Sequence, residues 1–317
     1  MAAYVAGIDL GGTNARVGLV AADTMTGTLA VAAEERLASR VAEGPAQLTR
    51  RLAEALSRLP QRPAAIGVGV AGLIDSAQGV ILFSPNFPGW DNFALGPELA
   101  KLTGLPVAVE NDANMAALGE QRAGAARGLT HVVCLTLGTG VGGGFILEGK
   151  LYRGVAGQAG EVGHLTVARG KGAALCGCGR RGCLETIASA TGLVRLAREG
   201  LAKGRQSALA GVDPLTAQAI AQAASAGDLF ARHLYRKMGA ALGFAIGQLV
   251  NLLDLEAAVL TGGVSAAWEL FMPDLSTALQ RELLPRKQAR VLRAILGEAA
   301  GVTGAACVAL ELQPTGR

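Results

Sequence analysis

His164, Cys176, Cys178 and Cys183 offer one imidazole nitrogen and three sulfurs within about twenty positions, the ligand set of a closed tetrahedral zinc site. Three of the chain's five cysteines are spent there. Glycines at 177, 179 and 182 supply the turns that a short chelating loop needs and that three neighbouring core thiols would not. Four protein ligands leave no open position for an activated water, so the expected metal is structural, and mixed N/S ligation points to Zn²⁺. Glu161 and Glu185 flank the cluster, and the metal needs neither. They remain as polar groups that a braced loop could present to something else.

Two glycine-rich turns suggest what that is. Asp9 leads into Gly11, Gly12, Thr13 and Asn14, where bare backbone N–H groups could approach phosphate oxygens while Asp9 holds Mg²⁺ through water. From this segment alone an ordinary tight hairpin would read the same. The second turn, Gly138-Thr139-Gly140-Val141-Gly142-Gly143-Gly144, favours the phosphate reading. Its G-x-G-x-x-G spacing matches the dinucleotide fingerprint, but that fingerprint opens a helix. Here Phe145 to Leu147 reads as a strand, so NAD is not expected. Asp112, within Glu110-Asn111-Asp112-Ala113-Asn114, is either a carboxylate base for a substrate hydroxyl or a plain helix cap, locally the commoner fate.

Hydrophobic periodicity supplies the elements that must position these groups. Strands are expected at 4–8, 15–20, 65–70, 105–109, 131–137, 145–147 and 257–260. Helices are expected at about 46–59, 114–123, 184–198, 214–226, 229–253 and 302–312, with Asn114 or Asp112 capping the second. The strand–glycine turn–strand unit occurs once in each half, which suggests a duplicated two-domain α/β fold. Cys134 and Cys307 read as core residues, and His131 and His233 as solvated.

The 317 residues, 50% hydrophobic and 17% charged, suffice for two domains with a substantial core. The net charge of +4 is dispersed, and pairs such as Arg50-Arg51 and Arg180-Arg181 are not nucleic-acid-binding runs. Mean hydropathy is positive at +0.36, yet the most apolar stretch, Met238 to Val250, is too short to span a bilayer. No signal peptide is read at the N-terminus, where Asp9 interrupts the apolar start, and the bunched cysteines fit a reduced compartment. A cytoplasmic protein is expected.

Together these residues resemble the ROK family of sugar kinases and related repressors, in particular its glucokinase branch. The resemblance rests on Asp9-Leu-Gly-Gly-Thr13, Glu161-x-Gly-His164, Cys176-x-Cys-Gly-x-x-Gly-Cys-x-Glu185, the segment Glu110 to Asn114, and Ser84-Pro-Asn86-Phe-Pro-Gly-Trp90. It implies the two-domain actin-like ATPase (ribonuclease H-like) fold with an interdomain cleft. The small domain would be 1–113 plus about 302–317, and the large one 114–301.

The resemblance also implies roles. Asp112 would be general base toward a hexose 6-hydroxyl, with Gly72, Asn86, Asn111, Glu161, His164 and Glu185 contacting the sugar. His164 would place one ring nitrogen on zinc and the other on the sugar. Asp9, Gly11, Gly12, Thr13, Asn14, Gly138, Thr139, Gly140, Gly262 and Gly263 would hold ATP and its Mg²⁺. Glucose is the expected substrate, with N-acetylglucosamine, N-acetylmannosamine, allose or fructose as alternatives, and polyphosphate as an alternative donor. A homodimer or homotetramer is expected. Repressor relatives carry a DNA-reading domain ahead of the first strand, and none is expected before Tyr4, so an enzyme is favoured over a sugar-sensing regulator.

Overall fold

The computed structural model describes residues 2–23, 26 and 28–313. The chain forms two compact units, one of residues 1–132, 144–160 and 294–317, the other of residues 133–143 and 161–293.

The first unit opens on β1 (Ala2–Leu10) and β2 (Asn14–Asp23), an antiparallel hairpin whose register sets Asp9 opposite Arg16. β3 (Leu29–Ala38), not foreseen from the sequence, pairs antiparallel with β2. Its residues are mostly exposed, so it lacks the apolar signal of a buried strand. Helix α1 (Pro45–Ser57) buries Leu48, Leu52 and Leu56 on one stripe. There follow β4 (Ile66–Val70), the short pair β5 (Leu73–Asp75) and β6 (Val80–Phe83), α2 (Leu95–Thr103), β7 (Val107–Asn111) and α3 (Asp112–Ala123). The sheet order is β3-β2-β1-β4-β7, with β1, β4 and β7 parallel.

The remaining strands are β8 (Val132–Leu137), β9 (Val141–Leu147), β10 (Lys150–Tyr152), β11 (Ala257–Thr261) and β12 (Arg290–Arg293). Their order, β10-β9-β8-β11-β12, repeats the plan of the first sheet strand for strand. β9 starts at Val141, so Gly142 to Gly144 lie in the strand and the second glycine turn is only Gly138 to Gly140. The helices here are α4 (Glu185–Ala188), α5 (Ala190–Ala202), α6 (Ala217–Ser225), α7 (Leu229–Leu253) and α8 (Trp268–Glu282). The helix expected over 184–198 is thus broken at Ser189, whose side chain accepts from Gly192 N–H and caps α5. α8 packs on α7 over Gly239, Gly243 and Gly247, where a methyl would meet Phe271 O at 2.2 Å, Leu275 O at 2.3 Å and Glu282 Cβ at 2.4 Å.

The last helix, α9 (Ala299–Glu311), belongs to the first unit. It lies backbone to backbone on the sheet and on α3. A Cβ at Gly7 would stand 2.0 Å from Val302 O, one at Gly67 1.8 Å from Ala305 O, and one at Gly304 1.8 Å from Met115 O. The fully buried Glu120 of α3 accepts from the N–H groups of Ala125, Ile295 and Leu296, which fixes the chain leading into α9. In this division α3, residues 144–160 and the segment from 294 fall in the first unit.

Gly67→Ala is expected to destabilise the fold by roughly 2 kcal/mol or more, since backbone cannot yield as a side chain does. Gly172→Ala, at a position with open space, is the control. Equal urea midpoints for the two variants would contradict the close approach.

Candidate functional site

In the first unit, β1, β4 and β7 run parallel and deliver their C-terminal ends to the same edge. Asp9 lies next to last in β1, Gly72 follows β4, and Asn111 ends β7. Asn111 is the cap of α3: its Oδ1 accepts from Ala113 N–H at 2.8 Å and Asn114 N–H at 3.3 Å. This corrects the expectation that Asn114 or Asp112 caps the helix. Asn114 is buried and donates to Glu110 Oε1 at 2.9 Å. Asp112 is the first residue of the helix, exposed, with Oδ1 3.0 Å from Ala113 N.

Glu110 locks this corner. Only 1% exposed, it accepts from Asn111 N–H and Asn114 Nδ2 through Oε1 and from Arg153 Nε at 2.6 Å through Oε2. A buried carboxylate with three donors, one backbone, one amide and one guanidinium, holds its neighbours to one geometry. Asn111 Nδ2 donates to Gly72 O at 3.1 Å. Gly72 has φ 136°, and a Cβ there would fall 2.2 Å from Phe83 O, so only glycine fits.

Asn86, exposed, sits on a loop anchored by buried Phe87 and Trp90, whose rings lie 4.8 Å apart, and Ser84 Oγ donates to Ala71 O at 2.6 Å. The hairpin turn reaches this loop: a Cβ at Gly12 would be 3.2 Å from Asn86 O. Ser39 N–H donates to Thr13 O, which steadies a turn that leaves Thr13 and Asn14 exposed. Burial, the Asp112 charge and Glu34 push the Asp9 carboxyl up from 3.8 to about 6, against the opposing Arg16. Asp9 and Asp112 therefore feel one another, and two mutually repelling carboxylates are a natural seat for a cation.

In the second unit, the donor atoms of His164, Cys176, Cys178 and Cys183 all lie within 4.8 Å of one another. Cys178 Sγ is 3.7 Å from Cys183 Sγ, and Cys176 Sγ is 3.6 Å from His164 Nδ1. The tetrahedral edge for Zn–S bonds of about 2.3 Å is roughly 3.8 Å, so donor set and spacing both fit Zn²⁺. The backbone N–H of Arg180 draws the Cys178 thiol down to about 6, whereas burial pushes Cys176 up and Cys183 up to about 12. His164 Nε2 lies 3.7 Å from Glu161 Oε2, away from the sulfurs. Gly163 presses on β9, where a Cβ would be 2.1 Å from Val141 O.

Glu185 joins two features that read separately in the sequence. Its Oε2 accepts from Val141 N–H at 3.1 Å, and its Oε1 is 3.7 Å from Cys176 Sγ. A Cβ at Gly140 would meet Oε2 at 2.3 Å. Thr191 Oγ1 and Ala190 N–H donate to Thr139 O and Gly138 O, so α5 also grips this turn. Gly138, Thr139 and Gly263 line a pocket of about 1010 Å³ completed by residues of α6 and α8, including Gln218, Gln222 and Glu269. Sequence reasoning missed those three, because glutamine and glutamate on exposed helical faces carry no motif. Gly262, with φ 91°, would carry a Cβ 2.5 Å from Leu137 O. Among the described residues no helix is long and apolar enough to cross a membrane.

Residues 5–312 match the model of the ROK family. The chain belongs to the ROK family. It is 40% identical to a glucokinase of Halalkalibacterium halodurans over 95% of this chain and 93% of that protein. Among solved structures it resembles a ROK hexokinase from Thermus thermophilus, with TM-score 0.82 and 36% identity, over 97% of this chain and 98% of that one. It also resembles a ROK family glucokinase from Streptomyces griseus in complex with glucose and AMPPNP, with TM-score 0.79 and 35% identity, over 97% and 99%. The two-domain α/β fold expected from the sequence is that of the ROK kinases.

Two predictions arise from this geometry. The purified protein should carry about one zinc per chain, and Cys178→Ser or chelation should lower the unfolding midpoint by roughly 5 °C or more. Metal-free protein of unchanged stability would exclude the structural metal. A carboxyl whose folded pKa is raised stabilises the fold at low pH, and that contribution fades as pH climbs from about 4 through about 6. Over that interval, without Mg²⁺ or nucleotide, the wild type should lose roughly 1–2 kcal/mol relative to Asp9→Asn, the figure allowing for solvent at the partly exposed group. Parallel urea curves at both pH values would contradict the coupling.

Proposed function

We propose that this protein is an ATP-dependent hexokinase that converts glucose to glucose 6-phosphate. The carrying observation is the Asp112 carboxylate, left exposed at the first turn of α3 because Asn111 takes the capping role, and felt electrostatically by Asp9. The similarity to glucokinases along nearly the whole chain supports the choice of sugar and donor.

In this reading Asp112 accepts the proton of the 6-hydroxyl as that oxygen bonds to the γ-phosphorus. The bond to the β–γ bridging oxygen breaks, and ADP leaves with it. Phosphoryl transfer asks chiefly for positioning, which Glu110 and Asn111 supply by fixing the start of α3. Gly11 N–H and Gly138 N–H close their own turns on Asn14 O and Gly140 O, so the N–H groups of Gly12, Thr13, Thr139 and Gly140 are the phosphate donors, and Gly262 and Gly263 border the base. Asp9 would hold a water of the Mg²⁺ bound with the triphosphate, and that ion would supply charge neutralisation on the phosphate oxygens.

Hexose hydroxyls both donate and accept, so carboxylates, amides and imidazole are suited to read them. Asn86, Asn111 and the Gly72 backbone, together with Glu161, His164 and Glu185, take that role. A zinc on His164 Nδ1 and the three thiolates would leave His164 Nε2 for the sugar and hold Glu185 in place. Cytoplasmic location and a homo-oligomeric state complete the reading.

Asp112→Asn should lower kcat by about 10²- to 10⁴-fold while glucose binding in calorimetry stays within about threefold. Turnover near the wild-type rate would remove Asp112 as base. Rates across glucose, N-acetylglucosamine, N-acetylmannosamine, allose and fructose, each with ATP and with polyphosphate, test substrate and donor.

A further inference from the structure

A second cavity in the 161–293 unit, of about 290 Å³, shares no residue with the larger pocket. It is walled by α5, the first turns of α7 and the segment 168–174 that precedes the cysteine loop. Arg195, Lys203, Arg205 and Lys237 line it, with His233 and a single acid, Glu199. Glu199 is already taken by Arg195, which also donates to Thr186 O at 2.8 Å.

That leaves Lys203, Arg205 and Lys237 facing one cavity with no acidic partner among the described residues. The acid that caps α7, Asp228, is spent on Ser207, Ala208 and Ala231. Three like charges around one small space repel one another, and an anion reverses the sign of that energy. Part of the wall is apolar. Phe230 lies on the bare backbone of Gly200, where a Cβ would be 2.1 Å from its ring, beside Leu196, Leu234 and Ile187. At this volume the space holds roughly ten waters, enough for a phosphate group with a few carbons but not for a nucleotide.

We propose that this cavity binds a phosphate monoester of metabolite size, its phosphate on Lys203, Arg205 and Lys237 and its carbon part on Phe230. The wall includes Thr186 and Ile187, the residues immediately after Glu185, and Thr186 Oγ1 donates to Cys183 O at 2.7 Å. Occupancy therefore bears on the segment that carries Glu185, and the ligand acts as an effector of sugar affinity. This second clause rests on the proposed kinase function; the binding site itself does not.

The test is calorimetric titration of the zinc-loaded protein, its nucleotide site saturated with a non-hydrolysable ATP analogue. The probes are inorganic phosphate and sorbitol 6-phosphate. Lys203→Ala/Arg205→Ala/Lys237→Ala should weaken both by at least about tenfold while kcat and glucose KM without added anion stay within about twofold. Tighter binding of the sorbitol ester identifies an organic phosphate as the ligand; equal binding identifies the free ion. Should the triple variant fail to fold, Arg205→Gln/Lys237→Gln serves in its place.

The site is overturned by unchanged affinity in the variant, or by no wild-type binding up to about 10 mM. It is equally overturned if the variant changes the subunit number in light scattering, because the cations then belong to a subunit contact. In the wild type alone, the anion should shift the calorimetric glucose Kd by the same factor by which glucose shifts anion affinity. Binding without any shift in glucose Kd overturns the effector role and leaves the site. Loss of turnover in Asp112→Asn leaves the binding measurements untouched, so the two readings fail separately.

Discussion

The backbone of α9 rests directly on the backbones of the first sheet and of α3, and the corner that holds Asp9, Asn111 and Asp112 depends on it. Gly7 and Gly67 lie in adjacent strands and each faces a carbonyl of α9, while Gly304 of α9 faces α3 at Met115. Contacts this close gain dispersion on every atom and leave little freedom to slide. The strands thereby come to a fixed height, and their C-terminal ends align. Gly301 continues the seam to the site itself: a side chain there would strike the Asp9 carboxylate, with its Cβ 2.6 Å from Cγ. The helix that closes the chain is thus part of what aims its first acid.

Much of this was legible in the residues, and the limits of legibility are physical. Buried strands announced themselves through unbroken apolar runs, as in Ile66 to Val70 and Ala257 to Thr261. The metal loop was read from ligand type and glycine spacing. Asn111, Asp112 and Asn114, by contrast, are all good caps by chemistry. What chooses Asn111 is its extended backbone, φ −67° and ψ 144°, at the end of a strand, a tertiary fact invisible to local propensity. The ties of α3 are just as hidden, since through Glu120 it holds residues 175 and 176 positions away. α8 carries Pro273 within it and shows no clear start in the sequence. Its docking face was nevertheless written on α7, as glycines four residues apart at 239, 243 and 247.

On the proposed reading, a zinc on the cysteine loop would order the groups around it without taking part in chemistry. Val167 and Ala168 N–H groups donate to Gly182 O, and Gly182, at φ 78°, brings its backbone within reach of Ala168 O. The loop is therefore tied at its base by backbone, and at its tip the side chains of His164, Cys176, Cys178 and Cys183 come together. An imidazole bound to that zinc at Nδ1 would keep a single ring orientation, and its Nε2 would inherit that precision.

Glu185 carries a consequence for how this scaffold can evolve. One carboxylate accepts from the strand that follows the second glycine turn and also sits against Cys176. A glutamine could keep one of these contacts but would turn an amide donor toward the other. Aspartate is shorter by one methylene and could not reach both. On the proposed function, selection acting on the metal loop, on the nucleotide turn or on sugar preference would fall on the same atom pair, and improvement in one trait would be vetoed by the others. On the same proposal, drift toward a new hexose would be more accessible on the exposed Asn86 loop, whose anchors, Phe87 and Trp90, are buried apart from the residues that face solvent.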